Sequence, residues 1–484
     1  MNHPALDVRF SKSFPRLPSQ ISITSDGAYT AASFPNGVVI LIGSDGGVLW
    51  EHDLGGRATS VGMTPTGEYV YVSTEDGLVI FDRSGGELRR IKEEVHNAVL
   101  SSDGKFAFLG AVDATKRVST LSFYDATRKA LLKRQPGAVV WKQKFDEPFH
   151  FFTGARDGSK VFLGFPRSIL CIDAEQSVLL HHKVTSTVKG LAVLPDASVV
   201  FYSTFEGHVI GLQMDETQTF LAVLDEEIAA VDCDARGEWI LAASKAKPLL
   251  FLVNRNKELA WRFALPKRPI HVRLADDASL FAVVCGNDEL LVCNNYFVDP
   301  VNRVKRALDL VNDPDYSNLS LNALVRSSAK GLTALVNAIK DGTVAENSYK
   351  VIGRFSDDLL SDLIRAVALD KSPDRLFRCL AAFYSRALPF FLRSLREHSE
   401  TERREFYGRL AAAAAHAQDA RLYDLLGLIH LRLGELEPAA KCFFEAVRMP
   451  DCPETATDHL KEALESLKRS KLTESVDQLF KTFI

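Results

Sequence analysis

Through the first 300 residues, short runs of alternating or wholly apolar residues recur between tight turns. QISITS (20–25) and GLAVLP (190–195) lead into a turn, while YVYVST (69–74), FAFLG (106–110), VVFYST (199–204), WILAAS (239–244) and LFAVVC (280–285) come after one. A period of two, rich in β-branched and aromatic residues, predicts strands. The turns are Ser25-Asp26-Gly27, Pro65-Thr66-Gly67, Ser102-Asp103-Gly104, Arg156-Asp157-Gly158, Pro195-Asp196-Ala197, Ala235-Arg236-Gly237 and Asp276-Asp277-Ala278. Their third positions lie 40, 37, 54, 39, 40 and 41 residues apart. Asp and Gly serve the backbone of such turns, which explains their recurrence without a calcium site.

A second series runs in parallel. LIGSDGGVLW, IFDRSGGELR, FYDATRKALL, CIDAEQSVLL, LQMDETQTFL and FLVNRNKELA each place a turn between two strands, opened by Asp45, Asp82, Asp125, Asp173, Asp215 and Asn254. Two such turns in each unit of about 40 residues imply four strands per unit, the pattern of β-propeller blades. Seven turns of the first kind against six of the second leave the last blade without its outer strand. An open edge there would bare a row of unpaired backbone groups. The alternating segment LDVRFSKSF (6–14) can fill the place. The expectation is a seven-bladed β-propeller over residues 1–300, closed by residues near 6–17 pairing with the strand around 290–295.

Beyond residues 300–315 the alternation stops, and Leu, Ala and charged residues at helical spacing replace Val, Thr and Gly. Pro300, Pro314 and neighbouring Asp and Asn residues mark a linker over 301–318. Helices are expected at about 319–340, 356–369, 373–385, 387–398, 401–418, 420–433, 437–448, 455–469 and 472–482, in a helical domain over 319–484. Ser372 before Pro373-Asp374 is one start signal, and Pro438 and Pro453 stand in similar places.

The first 300 residues resemble WD40-like and quinoprotein-like propeller repeats, the latter most visibly in GSDGGVLW (43–50) and NRNKELAW (254–261). The resemblance implies that an aromatic early in each outer strand docks on the neighbouring blade. Trp50 and Trp261 match it, while Arg89, Leu131, Leu180 and Leu221 stand near the equivalent position elsewhere. The Trp-Asp ending of WD40 blades does not recur, so the likeness is to the architecture. Residues 420–453 resemble a tetratricopeptide repeat, with Tyr423, Leu426, Gly427, His430, Gly434, Ala439, Phe443 and Ala446 at its spacing and His430 in place of the usual Tyr. Small residues at 427 and 439 would let two antiparallel helices approach closely, with Leu426 and Phe443 beside them. Together these imply a multidomain β + α chain, a propeller followed by an all-α TPR-like α-solenoid.

These features mark two candidate protein-binding surfaces. The repeat resemblance implies a concave groove faced by Arg421, Asp424, Leu428, Leu431 and Arg432. Leu425 stands where the family's carboxylate clamp has Asn, so a helical or extended peptide segment is the implied ligand. The chain's own last helix, 472–482, is the alternative occupant. The second surface lies in the one long repeat interval. Its extra residues fall between Lys129 and Gly154, where Trp141, Phe145, Phe149, Phe151 and Phe152 crowd together with Lys142, Lys144 and His150. Trp141, Phe145 and Phe149 are candidate contacts of a binding loop on a rigid scaffold. The alternative is that these aromatics form an innermost strand and pack between blades.

Composition removes other classes. At 484 residues and 46% hydrophobic, the chain can bury more than one core. Lys+Arg number 58 against 62 Asp+Glu, and neither the first 300 residues (31 basic, 36 acidic) nor the rest (27 and 26) carries the basic surplus that phosphate neutralisation needs. Nucleic acid is not an expected partner. The N-terminus lacks the pattern of a signal peptide, and no run of about 18 apolar residues occurs, so a cytoplasmic protein without membrane insertion is expected. The seven cysteines are odd in number and form no CxxC, neither a disulfide framework nor a zinc site. Cys285 and Cys293 flank a hairpin but stand out of register. GxSxG, HExxH and GxxxxGK do not occur, and GARDGSK (154–160) has the wrong spacing for a phosphate cradle. No catalytic residue, cofactor or metal is expected. The functional expectation is a non-enzymatic scaffold or adaptor subunit of a multiprotein assembly. The alternative is a sensor or enzyme holding a small ligand or redox cofactor in the propeller channel.

Overall fold

The structure is a computed structural model describing residues 6–129, 136–344, 354–360, 399–417, 419–450 and 452–469, with Tyr349, Ile352, Leu363 and Leu388. The chain forms two compact units, Met1–Asp299 and Pro300–Ile484.

The first unit is a seven-bladed β-propeller of four-stranded antiparallel sheets, with strands a to d running from the axis outward. Blades 1 to 6 occupy residues 20–53, 58–91, 97–145, 151–183, 188–223 and 228–264 in chain order. Blade 7 takes strands a to c from Pro269–Leu274, Leu280–Cys285 and Glu289–Asn294, and its strand d is Asp7–Ser13. Asp7 pairs with Asn294, Phe10 with Val292 and Ser13 with Glu289. The ring therefore joins the start of the chain to the end of the unit, where the count of turns left a strand missing.

The turns between strands a and b explain the repeat. Their third residues, Gly27, Gly67, Gly104, Gly158, Ala197, Gly237 and Ala278, all have φ between 57° and 74°. Glycine adopts this left-handed conformation without a Cβ clash, and two alanines adopt it as well. Asp precedes that residue in five of the seven and locks the turn: Asp26 Oδ1 accepts from the Ala28 N–H at 2.9 Å, and Asp196 Oδ1 from the Ser198 N–H at 3.0 Å.

Each pair of strands c and d carries a bulge at one equivalent place. The residue just past it, around the ring, is Trp50, Arg89, Trp141, Leu180, Phe220, Trp261 and Phe10. A bulge re-aims the next side chain, and here it aims at the neighbouring blade. Trp50 Nε1 donates to the Arg83 carbonyl at 3.0 Å and Trp141 Nε1 to that of Ala174 at 2.8 Å. Phe10 packs so closely on Gly46 that a Cβ there would meet its ring at 2.9 Å. Arg89 bonds Tyr124 of the next blade, and Trp261 lies fully buried 5.3 Å from Phe297. Two positions expected by the resemblance are corrected. Trp141, not Leu131, is the docking residue of blade 3, because that blade's outer hairpin is longer; Leu131 lies outside the described residues. In blade 5 Phe220 docks, while Leu221, one residue on, points outward and is exposed.

The second unit is helical. Its described helices are α1 (Pro300–Leu310), α2 (Ser317–Arg326), α3 (Ser328–Lys340), α4 (Glu400–Ala417), α5 (Ala420–Leu433), α6 (Leu436–Val447) and α7 (Ala456–Arg469). The stretch read as a linker, 301–318, begins with α1. It buries Val304, Ala307 and Leu310 at a spacing of three, which the run of polar residues between them masks. The single helix expected over 319–340 divides at Ser327, whose Oγ bonds the Ala323 carbonyl. The expected helices at 373–385 and 387–398 lie outside the described residues except Leu388, and 472–482 lies outside them entirely. Asp419 caps α5 by accepting from the Arg421 N–H, and Gly434, at φ 82°, ends it. A Cβ at Gly427 would stand 2.6 Å from the Phe443 ring, so α5 and α6 meet where the small residue allows.

Candidate functional site

Three places could carry function: the aromatic segment of blades 3 and 4, the α5 face, and the axis of the propeller. The aromatic segment is structural. Trp141 and Phe145 belong to strand d of blade 3 (Pro136–Phe145), and Phe151 and Phe152 begin strand a of blade 4 (Phe151–Gly154). Phe149, between them, is 2% exposed, and it joins Trp141, Phe145 and Phe152 in a core with Phe108, Phe123, Val161, Leu163 and Phe165 between the two blades. Trp141 stacks on Phe123 with ring centroids 5.9 Å apart. The expected binding contacts Trp141, Phe145 and Phe149 thus take part in the packing between blades 3 and 4. The apolar interior between two sheets takes this many rings.

The α5 face divides. Arg421 and Arg432 are accessible, and Arg421 forks onto the Asp419 carboxylate at 3.1 and 3.0 Å. Asp424 is fully buried, with His459 Nδ1 2.9 Å from its Oδ1. Leu428 is buried with Ala439, Phe443, Ala463 and Leu467, and Leu431 packs against them. Asp424, Leu428 and Leu431 therefore face α6 and α7, not an open groove. Helix α7 fills the side that the repeat resemblance left concave.

The axis holds charges that the repeat pattern marks only as turn residues. The first residues of the a–b turns form a ring of backbone hydrogen bonds, each N–H donating to the carbonyl of the equivalent residue in the next blade. Ser25 donates to Pro65 at 2.9 Å, Ser102 to Arg156 at 2.7 Å, Arg156 to Pro195 at 3.1 Å, Ala235 to Asp276 at 2.9 Å, and Asp276 to Ser25 at 3.0 Å. The ring is broken only after Pro65 and Pro195, which have no N–H to give. Across its mouth the Arg156 guanidinium of blade 4 forks onto the Asp276 carboxylate of blade 7.

Beneath this strut lies a cavity of about 220 Å³ walled by all seven blades, with Asp232, Cys233, Asp234, Arg273 and Tyr71 on its lining. Asp232 Oδ2 accepts from the Leu274 N–H at 2.8 Å. Enclosure in protein raises its pKa above the usual carboxylate range, against the pull of Arg273. Burial raises Asp234 in the same way. The Cys233 thiol is pushed far up by burial and by both carboxylates, so it is no thiolate nucleophile near neutral pH. His271, beside Arg273 on the same strand, is held neutral by burial, with its pKa lowered to about 4. Guanidinium and carboxylate answer one another here. The sequence signal for this site was present in Arg156 and Asp276, the two charged residues at turn positions that are elsewhere Ser, Pro or Ala.

With this geometry in view, two solved structures bear comparison. The β-propeller domain of Cps50 (Swd1) from Myceliophteria thermophila superposes with a TM-score of 0.50 at 12% identity, covering 60% of this chain and 99% of that one. A chain of the Mitotic Checkpoint Complex gives 0.49 at 13% identity, covering 60% of this chain and 92% of that one. At such identity the first likeness shows the propeller fold and nothing finer. No family model and no curated protein matches this chain.

Proposed function

We propose that this protein is a non-enzymatic scaffold or adaptor subunit that holds other proteins in a multiprotein assembly in the cytoplasm. The observation that carries this reading is the apolar dress of the propeller rim. Val48, Leu49, Leu88, Val178, Leu179, Leu221 and Val223, all on outer strands, are between 38% and 62% exposed although each blade has a buried face to hide apolar residues in. Large apolar side chains left in water around a rigid ring are what a protein-binding surface requires. The Cps50 (Swd1) propeller domain supports the fold of such a ring.

The helical unit is proposed to add a second surface of tetratricopeptide type. The Gly427 to Phe443 contact, Ala439 buried between helices and the left-handed Gly434 support that reading. Of the residues implied to bind, Arg421 and Arg432 are exposed, Arg421 while paired with Asp419, and both suit a helical or extended acidic segment of a partner. Crosslinking mass spectrometry in native lysate, with wild type and an Arg421→Glu, Arg432→Glu variant, tests both surfaces at once. Crosslinks to rim residues and the loss of those near α5 in the variant are expected. An absence of intermolecular crosslinks would sink the scaffold reading, and unchanged α5 crosslinks would remove the groove from it.

A further inference from the structure

The outer strands of the blades are sheet edges, and soluble proteins guard such edges with charge. Six of the seven here obey the rule. Strand d carries Glu51 and Asp53 in blade 1, Glu87 and Arg90 in blade 2, Lys142 and Lys144 in blade 3, Lys183 in blade 4, Arg262 in blade 6 and Asp7, Arg9 and Lys12 in blade 7. In blade 5 it reads Gln-Thr-Phe-Leu-Ala-Val over Gln218–Val223, with no charge at all. Its inner residues Phe220 and Ala222 are buried in the core with blade 6, while Leu221 is 38% and Val223 62% exposed. The strand is thus firmly anchored on one face and bare along its free edge.

Its two ends are acidic. Asp215 and Glu216 stand at the turn that opens the strand, and Asp225 comes just after it. Glu216 is met by His182 of blade 4, at 3.0 Å. Neither Asp215 nor Asp225 is held in an ion pair among the described residues. An uncharged edge of about 20 Å with a carboxylate at either end defines the strand that would pair with it.

We propose that strand d of blade 5 is a β-augmentation edge, taking an extended segment of a partner protein that has apolar residues at alternate positions and Lys or Arg at both ends. Main-chain hydrogen bonds along the edge supply affinity, contact with Leu221 and Val223 selects the apolar positions, and Asp215 and Asp225 fix the basic ends. A second copy of this chain is a poor occupant. Antiparallel pairing of two such edges would bring Asp215 of one against Asp225 of the other at both ends, and like charges across strands destabilise the pair. Such an edge would be one surface of the proposed scaffold, and its assignment rests on that reading.

The test uses the full chain and a labelled synthetic peptide, KKVTVTVKK, with KKVTPTVKK as a control lacking one edge N–H. Fluorescence anisotropy should show binding of the first peptide and weaker binding of the second. Hydrogen exchange should show added protection of the 218–223 amides. A Leu221→Lys, Val223→Lys variant alters only exposed side chains and should weaken binding by about tenfold or more, a substantial share of a peptide's affinity. Leu49→Lys in blade 1 should leave it unchanged, and Asp215→Asn with Asp225→Asn should flatten its salt dependence. Absent protection at 218–223, or equal binding by the Leu221→Lys, Val223→Lys variant, overturns the proposal. Concentration-dependent protection of the same amides without peptide overturns it in favour of self-association. If either occurs while crosslinks to other proteins persist, the edge is refuted and the scaffold reading stands.

Discussion

His271 shows how one side chain can carry a measurable share of the propeller's stability. Burial and the nearby Arg273 keep its imidazole neutral, with its pKa lowered from the ordinary value to about 4. Its contribution is full above the ordinary histidine pKa of about 6.5 and is lost as pH falls through 4, on the order of 3 kcal/mol in all. Asp232 and Asp234 act in the opposite sense: their raised pKa values mean that stability is lost as pH rises through them. Comparing wild type with His271→Gln in denaturant titrations from pH 7.5 to 4 isolates the histidine, and the variant is expected to lose less stability on acidification. Equal slopes would show that His271 is not held neutral. Trp141 makes a similar point about packing. Truncation to Ala removes its stack on Phe123 and its bond to the Ala174 carbonyl, and should cost about 3 kcal/mol, read as a lower urea midpoint at unchanged m. Partner binding should survive under conditions where the variant is folded, because the ring is inside. A lone sequence cannot tell these two roles apart, since an aromatic residue wanted by an inter-blade core and one wanted by a partner look the same. The two readings differ only in which side of strand d the bulge turns the ring toward.

At the scale of elements, most strands and turns were legible because they are chemically marked, usually by an Asp near a residue that tolerates positive φ and by apolar runs of period two. The turn expected at Asp125 is corrected, since Asp125 lies inside the strand Val118–Lys129 and pairs with Phe106. Strand count then implied the closure, and Asp7–Ser13 pairs with Glu289–Asn294 in the structure. Removing residues 1–13 would bare that edge and take Phe10 off Gly46. The expected result is a drop in Tm of roughly 10 °C or more, with loss of a single sharp transition. An unchanged Tm would contradict closure by this strand. Blade 3 defeated a simple alignment because its hairpin extends through Val118–Lys129 and Pro136–Phe145, displacing Trp141 from where Leu131 stood in the repeat. Helix α1 was missed for a different reason. Its buried Val304, Ala307 and Leu310 are only three residues among charged and amide neighbours, a stripe too thin to outweigh the proline at its start. On α5, a residue's position within one repeat does not determine which helix packs on it. Helix α7 supplies Ala463 and Leu467 against Leu428, so the face that would be concave in an array of repeats is covered.

At the scale of the molecule, a ring of blades interlocked by Phe10, Trp50, Arg89, Trp141, Leu180, Phe220 and Trp261, and pinned at its axis by Arg156 and Asp276, is built to keep its shape. A ring so constrained can present loops and rim residues in fixed positions, which is the physical content of a scaffold. The axis charges stood out in the repeat as the two charged residues at their turn position, but the repeat does not show that they meet. Only the fold brings blades 4 and 7 across from one another. The cavity under the strut leaves a small-ligand reading open to the same experiment that tests the scaffold. Native mass spectrometry of the protein isolated from its own cells measures both: a scaffold should show a mass well above the 53.5 kDa of the chain, with a protein partner that dissociates on activation. A species of 53.5 kDa alone, or one carrying only a retained small molecule, would contradict it.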